Sequence, residues 1–558
     1  MVLRKRLALM SATAAVAVMS LVGCTSTNSG STGSATNGGG EGDPLDVLAN
    51  KNARAAIAMA IDKQTLCDTI LNNGTVPADY LTARGLAFNA DGKDYRDVAG
   101  DMGYKYNTEE AAKSWETAKQ EVGFDTVTLE LLTFDSESSK RQAEFMQAEL
   151  QNALPGLTVK IQQQPFKQKL ELEGKGEFHL SFAGWSPDYP DPLTFLETMQ
   201  TGIQYGSNTN YNNSEYDKLI EEAKTAGSQE ESWAKYAEAE KMMLEDGFIN
   251  PIMQQGSSYL QKPYVSGRLT PSFGVPAIYN WVELGEGKKE LNITGSSDIP
   301  TIDISKAEDT VSSEVLMNTM EGLVRLDKDG KVVPGVAESW EKSEDGKTWT
   351  FKLRKDSKWS NGDTVTAKDF EYSWKRTLDP ATASTYGFIM YDIVGAKDYN
   401  LGTVDNADGV GIKAIDDYTL QVELVRPVHY FDSLMFFKTF LPQNQKVVEQ
   451  FGQEYGTDKD KMVYNGPFTL TEWKLEDIYT MSKNPNYWDA SSIKIDKVNT
   501  KIVKDTNAAL NLYETGEIDI VGLSSESVDK YKESPEFKTL LKASTYFFQV
   551  NGGRPTNK

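Results

Sequence analysis

Two strand patterns joined by one helix pattern constrain this chain more than anything else in it. Val127-Thr128-Leu129-Glu130-Leu131-Leu132 reads as a strand, and Leu157-Thr158-Val159-Lys160-Ile161 reads as a second, alternating apolar with polar residues. Between them residues 138–154 have a helical pattern that Pro155-Gly156 ends. Strand, helix and strand at that spacing form a βαβ unit, and parallel pairing of the two strands is expected. The chain is therefore expected to be α/β.

The surrounding sequence agrees. Ile57, Ile61, Leu66 and Ile70 recur at near-helical spacing within residues 52–71. Asn107-Thr108-Glu109-Glu110 offers a helix start, Ala111, Trp115, Ala118 and Val122 a buried stripe, and Gly123 a stop. Residues 178–182 predict another strand, and residues 184–192 (Gly-Trp-Ser-Pro-Asp-Tyr-Pro-Asp-Pro) a loop. Amphipathic helices are expected over 214–225 and 229–245. The second half is richer in strands. Thr348-Trp349-Thr350-Phe351-Lys352-Leu353-Arg354 alternates strictly, with Trp349, Phe351 and Leu353 on one face, and residues 418–424 form another strand. Thr366 and Asp369 predict a capping box for a helix that Asp379-Pro380 ends. At 558 residues the chain is too long for one core, so two or three lobes are expected.

The start reads as an export signal. Arg4, Lys5 and Arg6 precede an apolar run over residues 7–22 that is short for a membrane span, and Leu21-Val22-Gly23-Cys24 closes it. That last pattern resembles a lipobox: Cys24 would accept a diacylglycerol and become the new N-terminus, giving stable attachment to a membrane. An ordinary cleaved secretory peptide is the plainer alternative. Residues 25–42 are almost all Ser, Thr, Gly, Asn and Ala, a tether with a reach of roughly 23 Å. The other cysteine, Cys67, lies in a helical pattern and reads as a small buried residue. The net charge of -23 disfavours nucleic acid and anionic lipid as partners. With only His179 and His429 in the chain, His-based metal sites and Ser-His catalysis lack parts, and no metal, cofactor or catalytic residue is expected.

Several long segments resemble one known family. They are Pro334-Gly335-Val336-Ala337-Glu338-Ser339-Trp340, the run from Asp345 through Arg354 to Lys358-Trp359-Ser360-Asn361-Gly362, Val365-Thr366-Ala367-Lys368-Asp369-Phe370, and Tyr372-Ser373-Trp374. Asn465-Gly466-Pro467-Phe468, Asn484-Pro485-Asn486-Tyr487-Trp488, Gly516-Glu517-Ile518-Asp519 and Asn52-Ala53-Arg54-Ala55-Ala56-Ile57 add to them. Together they resemble the peptide and nickel class of ABC-importer solute-binding proteins, and within it the oligopeptide-binding proteins. The resemblance implies a two-lobed fold of the periplasmic-binding-protein type (class II) with an extra third domain and mixed sheets. It also implies an extracytoplasmic, lipid-anchored monomer at a Gram-positive-type cell surface, with an oligopeptide ligand and the permease and ATPase subunits of an importer as partners.

The order of the halves departs from the family. The part resembling the family's first half lies at 288–551, and the part resembling its second half at 44–284, so a circular permutation is expected. Gly40-Glu41-Gly42 recurs as Gly285-Glu286-Gly287 between the halves. The expected division is a signal over 1–23, a tether over 24–43, the usual C-terminal lobe over 44–262, a first domain over 263–323 and 443–551, a second over 324–442, and a tail over 552–558.

A general peptide binder must hold what all peptides share, the backbone and the charged amino terminus. By resemblance, Gly184, Trp185 and Ser186 would line the peptide backbone, and Asp188 would pair with the α-ammonium. Without the resemblance, the same loop reads as an acidic turn closed by Pro190 and Pro192, with Trp185 merely packed. Phe166 and Tyr386 resemble family aromatics beside the ligand, and either would otherwise read as core. Where some relatives show tyrosines after Pro251-Ile252, this chain has Met253-Gln254-Gln255. The rival readings are a binder of dipeptides, signalling peptides, nickel chelates or oligosaccharides on the same fold, and a secreted hydrolase using Asp188 and Asp191. Asp191, set between two prolines, reads better as a loop cap than as a base.

Overall fold

The computed structural model describes residues 40–553 apart from positions 90 and 286. The signal pattern, Cys24 and most of the tether lie outside the described residues. Among the described residues no helix is long and apolar enough to cross a membrane.

The βαβ unit forms as expected. Phe124–Phe134 and Leu157–Gln164 pair in parallel, in unbroken register from Val127↔Leu157 to Phe134↔Gln164. The crossover helix Glu137–Ala153 buries Ala143, Met146 and Leu150 against them. Trp115 and Ala118 of helix Thr108–Val122 join this core, Asn107 caps that helix, and Gly123 ends it in the left-handed region at φ 87°. Cys67 is buried there too, and burial pushes its thiol up to about 12.

A helix over 52–71 does not run through. Lys51–Met59 is helical, the chain then breaks, and Asp62 starts a new turn by accepting from the Thr65 N–H. Leu66–Leu71 follows as a π-helical turn. The break lets Lys63 bury its ammonium against Asp79 (2.6 Å) and the carbonyls of Ala78 and Tyr104. Apolar spacing alone does not register that buried ion pair.

The large sheet has twelve strands and mixes parallel with antiparallel pairing. Its centre is a pair of long antiparallel strands, Ile249–Gln261 and Phe537–Val550. At one end Ile252, Met253, Phe548 and Val550 pack with Leu129 and Phe182; at the other, Leu260 packs with Tyr513 and Val521 in a separate small core. The register between the two strands shifts between Leu541 and Thr545, which face Gly256 and Gln254. Gln254 pins this bulge. Its Nε2 donates to the carbonyls of Arg84 and Lys542, and its Oε1 accepts from Tyr80 and from the Arg84 N–H.

A second, four-stranded antiparallel sheet orders Ala337–Lys342, Thr348–Leu353, Thr419–Glu423 and Ile412–Asp416. Trp349, Phe351 and Leu353 are buried on one face as the alternation requires. The Thr366–Asp369 capping box opens helix Ala367–Leu378. The fold class is thus mixed α/β with mixed sheets, as expected. The last described residues are tied down: the N–H of Asn551 donates to the His179 carbonyl and that of Gly552 to Thr209. Gly553 lies against Leu45 and Ala49 of helix Pro44–Ala49.

Candidate binding site

The site begins where strand Leu180–Trp185 runs out into the proline-rich loop. The strand is longer than its sequence pattern, because Gly184 and Trp185 are paired with Tyr546 and Thr545. One edge of Gly184 and Trp185 is therefore committed to the sheet. On the other edge, pairing with Phe124–Phe134 stops at Leu132↔Ser181, so residues 182–185 have no strand partner there among the described residues. Glycine is required at 184, since a Cβ would sit 2.9 Å from the Tyr546 ring. Trp185 is buried edge-on to Tyr205 (5.8 Å), and the Tyr205 hydroxyl donates to the Gly184 carbonyl at 3.2 Å. Ser186 is exposed, with its Oγ 2.8 Å from that of Ser544 in the bulge.

Asp188 follows, 6% exposed. Its N–H donates to Thr194 Oγ1 at 2.9 Å, yet no hydrogen bond or ion pair reaches its carboxylate among the described residues. Burial pushes this carboxyl up to about 7, Lys438 pulls it down, and Glu197 pushes it further up. Asp191 is a cap: Oδ1 accepts from the Leu193 N–H at 3.0 Å, and burial raises its carboxyl to about 6.

Lys438 comes from the other half of the chain and is 2% exposed. Its ammonium lies 4.1 Å from the ring centroids of both Tyr386 and Phe437, with no hydrogen bond or ion pair among the described residues. Burial lowers it to about 8, against the opposing pull of Asp188, Asp309 and Glu308. Tyr386 lies beside Lys438 and stacks its ring near Phe388 and Phe437, both at 5.6 Å. Phe166 stands apart in its contacts: it is 49% exposed and stacks on Phe134 at 5.7 Å. Lys438 is the residue that sequence reasoning missed. The signal was there, a lone cation in Phe436-Phe437-Lys438-Thr439-Phe440, inside a run buried without interruption from 434 to 444.

The loop is clasped from across the chain. Tyr189 stacks on Tyr430, and its hydroxyl donates to Glu197. The Gly274 N–H donates to the Pro187 carbonyl, and Phe273 meets Phe436 edge-on. Arg426, held by Asp392, donates to the carbonyl of Lys224 at 2.9 Å.

A family model described as bacterial extracellular solute-binding proteins, family 5 middle, matches residues 26–207 and 331–558. The chain belongs to this family. Among curated relatives, this family 5 solute-binding protein is 39% identical over 265 residues to the dipeptide-binding protein DppE of Bacillus subtilis, covering 48% of each. It is 39% identical over 279 residues to the oligopeptide-binding protein OppA of the same organism (48% of this chain, 51% of the relative). It is 35% identical over 296 residues to the periplasmic OppA of Escherichia coli (52% and 53%). The chain spans about half the length of the curated relatives it matches. Among solved structures, Listeria monocytogenes OppA bound to peptide is 42% identical over 45% of this chain and 49% of that one, with a TM-score of 0.44.

Proposed function

We propose that this family 5 protein is the substrate-binding component of an ABC importer and that its ligand is an oligopeptide. The α-ammonium sits on Asp188, and the backbone extends along the open edge of residues 182–185. One observation carries this reading: a buried carboxylate with no hydrogen-bonded partner, directly after a strand whose outer edge is unpaired. A buried charge needs a counter-ion, and an open edge needs main-chain donors and acceptors. An extended peptide supplies both. The names of the relatives, dipeptide- and oligopeptide-binding proteins, point the same way. The reading includes hinge closure over the peptide, and the contacts that Tyr430 and Gly274 make with the loop support it. Cys24 would tether the protein to the cell membrane.

The permuted order is part of the reading. Each relative aligns with only about half of its own length, and the described chain ends lie together at Gly553 and Leu45.

Calorimetry with Asp188→Ala and Asp188→Asn tests the site. Losing one partner of a buried pair costs about 3–5 kcal/mol, so both variants should weaken peptide binding by two orders of magnitude or more while the fold persists. An unchanged Kd removes Asp188 from the site. Native mass spectrometry of freshly purified protein identifies retained ligand, and turnover of an added peptide or glycan would make the protein an enzyme instead.

A further inference from the structure

We propose that Lys438 is a specificity-determining residue, and that the site selects ligands carrying a carboxylate close to the α-ammonium. The inference rests on Asp188 as the ammonium anchor and goes beyond it. Lys438 has three donors and 2% exposure, but its near neighbours are two aromatic faces at 4.1 Å. Cation–π attraction does not replace the acceptors a buried ammonium leaves behind in water. The other carboxylates that act on it are already engaged. Glu308 accepts from Thr385 Oγ1 at 2.8 Å, and Asp309 accepts from the Ser312 N–H as the cap of helix Thr310–Thr319. Asp188 reaches this segment through Gly274, where a Cβ would meet the Phe436 ring at 3.5 Å and the Asp188 carbonyl at 3.8 Å, and no ion pair joins Asp188 to Lys438.

A peptide with a neutral first residue brings a second cation to this site and leaves Lys438 without an acceptor. A ligand with a carboxylate beside its ammonium makes the charges alternate: Asp188, ammonium, carboxylate, Lys438. Two sources supply that chemistry, an acidic first side chain or the C-terminus of a dipeptide.

The experiment measures Kd by calorimetry at pH 7 for Glu-Ala-Ala against Gln-Ala-Ala, and for Ala-Ala against Ala-Ala-amide. The acidic member of at least one pair should bind about tenfold or more tightly, as a charged hydrogen bond requires, and the pair that shows it identifies the source of the carboxylate. In Lys438→Met the ratio for that pair should fall to about one. Equal affinities within both pairs in the wild-type protein overturn the proposal while leaving peptide binding intact. A ratio that survives Lys438→Met also overturns it. Failure of all four ligands to bind overturns both this inference and the anchor it rests on.

Discussion

The rings of Tyr189 and Tyr430 lie face to face, 4.6 Å apart and 5° from parallel, although they belong to opposite halves of the chain. Tyr189 is in the loop that carries Asp188, and Tyr430 immediately precedes the turn Phe431–Leu434. The stack therefore ties the two halves of the chain together next to Asp188. Beyond its buried area such a pair contributes about 0.5–1.5 kcal/mol. Tyr430→Ala should weaken peptide binding by at least roughly two- to tenfold, whereas Tyr430→Phe should retain most of the affinity. Small-angle scattering should show the Ala variant less compact than the wild type at the same subsaturating peptide concentration.

Binding should release a proton. Burial holds the Asp188 carboxyl up at about 7, with Lys438 opposing and Glu197 adding to the rise, while Tyr205 and Tyr386, both pushed well up by burial, stay neutral phenols. An α-ammonium needs the ionised form and pulls the carboxyl back down. Below about pH 7 the group is therefore protonated when free and ionised when bound. Affinity for Gln-Ala-Ala should fall as pH drops from 8 to 5.5, approaching tenfold per pH unit at the acid end. Calorimetry in buffers of different ionisation enthalpy reads the proton directly, and a flat profile would contradict the assignment.

Stability has its own buried ion pair, which shares no hydrogen bond with Asp188 or Lys438. Arg96 and Glu240 are paired with both side chains fully buried, and Glu240 also accepts from the N–H groups of Leu81 and Thr82 and from the Tyr95 hydroxyl. Glu240→Ala leaves the guanidinium and two backbone donors unmatched, so a loss of about 3–5 kcal/mol is expected in urea unfolding. Peptide affinity per folded molecule should not change.

Order along the chain can be tested by rebuilding it. A variant that starts at residue 288, runs through 553 directly into residue 44 and ends at 284 should fold and bind peptide as the parent does. Gly553 already rests against Leu45, so the new join needs little rearrangement. A variant that fails to fold would contradict the permutation.

What the sequence made legible was local. The parallel pair around Val127 and Leu157, the cap at Asn107, the Thr366–Asp369 box and the buried face of Trp349, Phe351 and Leu353 all follow from period, turn chemistry and capping. The reading of Asp188 as a peptide anchor comes only through resemblance, because an acidic residue between prolines is otherwise an ordinary turn. The Lys63–Asp79 pair, the Gln254 pin and the Asp188–Lys438 relationship were not legible. Each joins residues far apart in sequence or breaks a local pattern, and periodicity carries no information about such partners. Lys438 came nearest to being visible, as a charge where an apolar run permits none.

Cys67 also has a practical consequence. It is the one free cysteine among the described residues, buried, with its thiol pushed up to about 12. At neutral pH it is neither ionised nor accessible to maleimides. In a form lacking the first 24 residues, a cysteine pair introduced at the exposed Ser186 and Thr385 would be the only reactive thiols. Two dyes placed there would test the proposed closure, molecule by molecule, without removing any native side chain from the core.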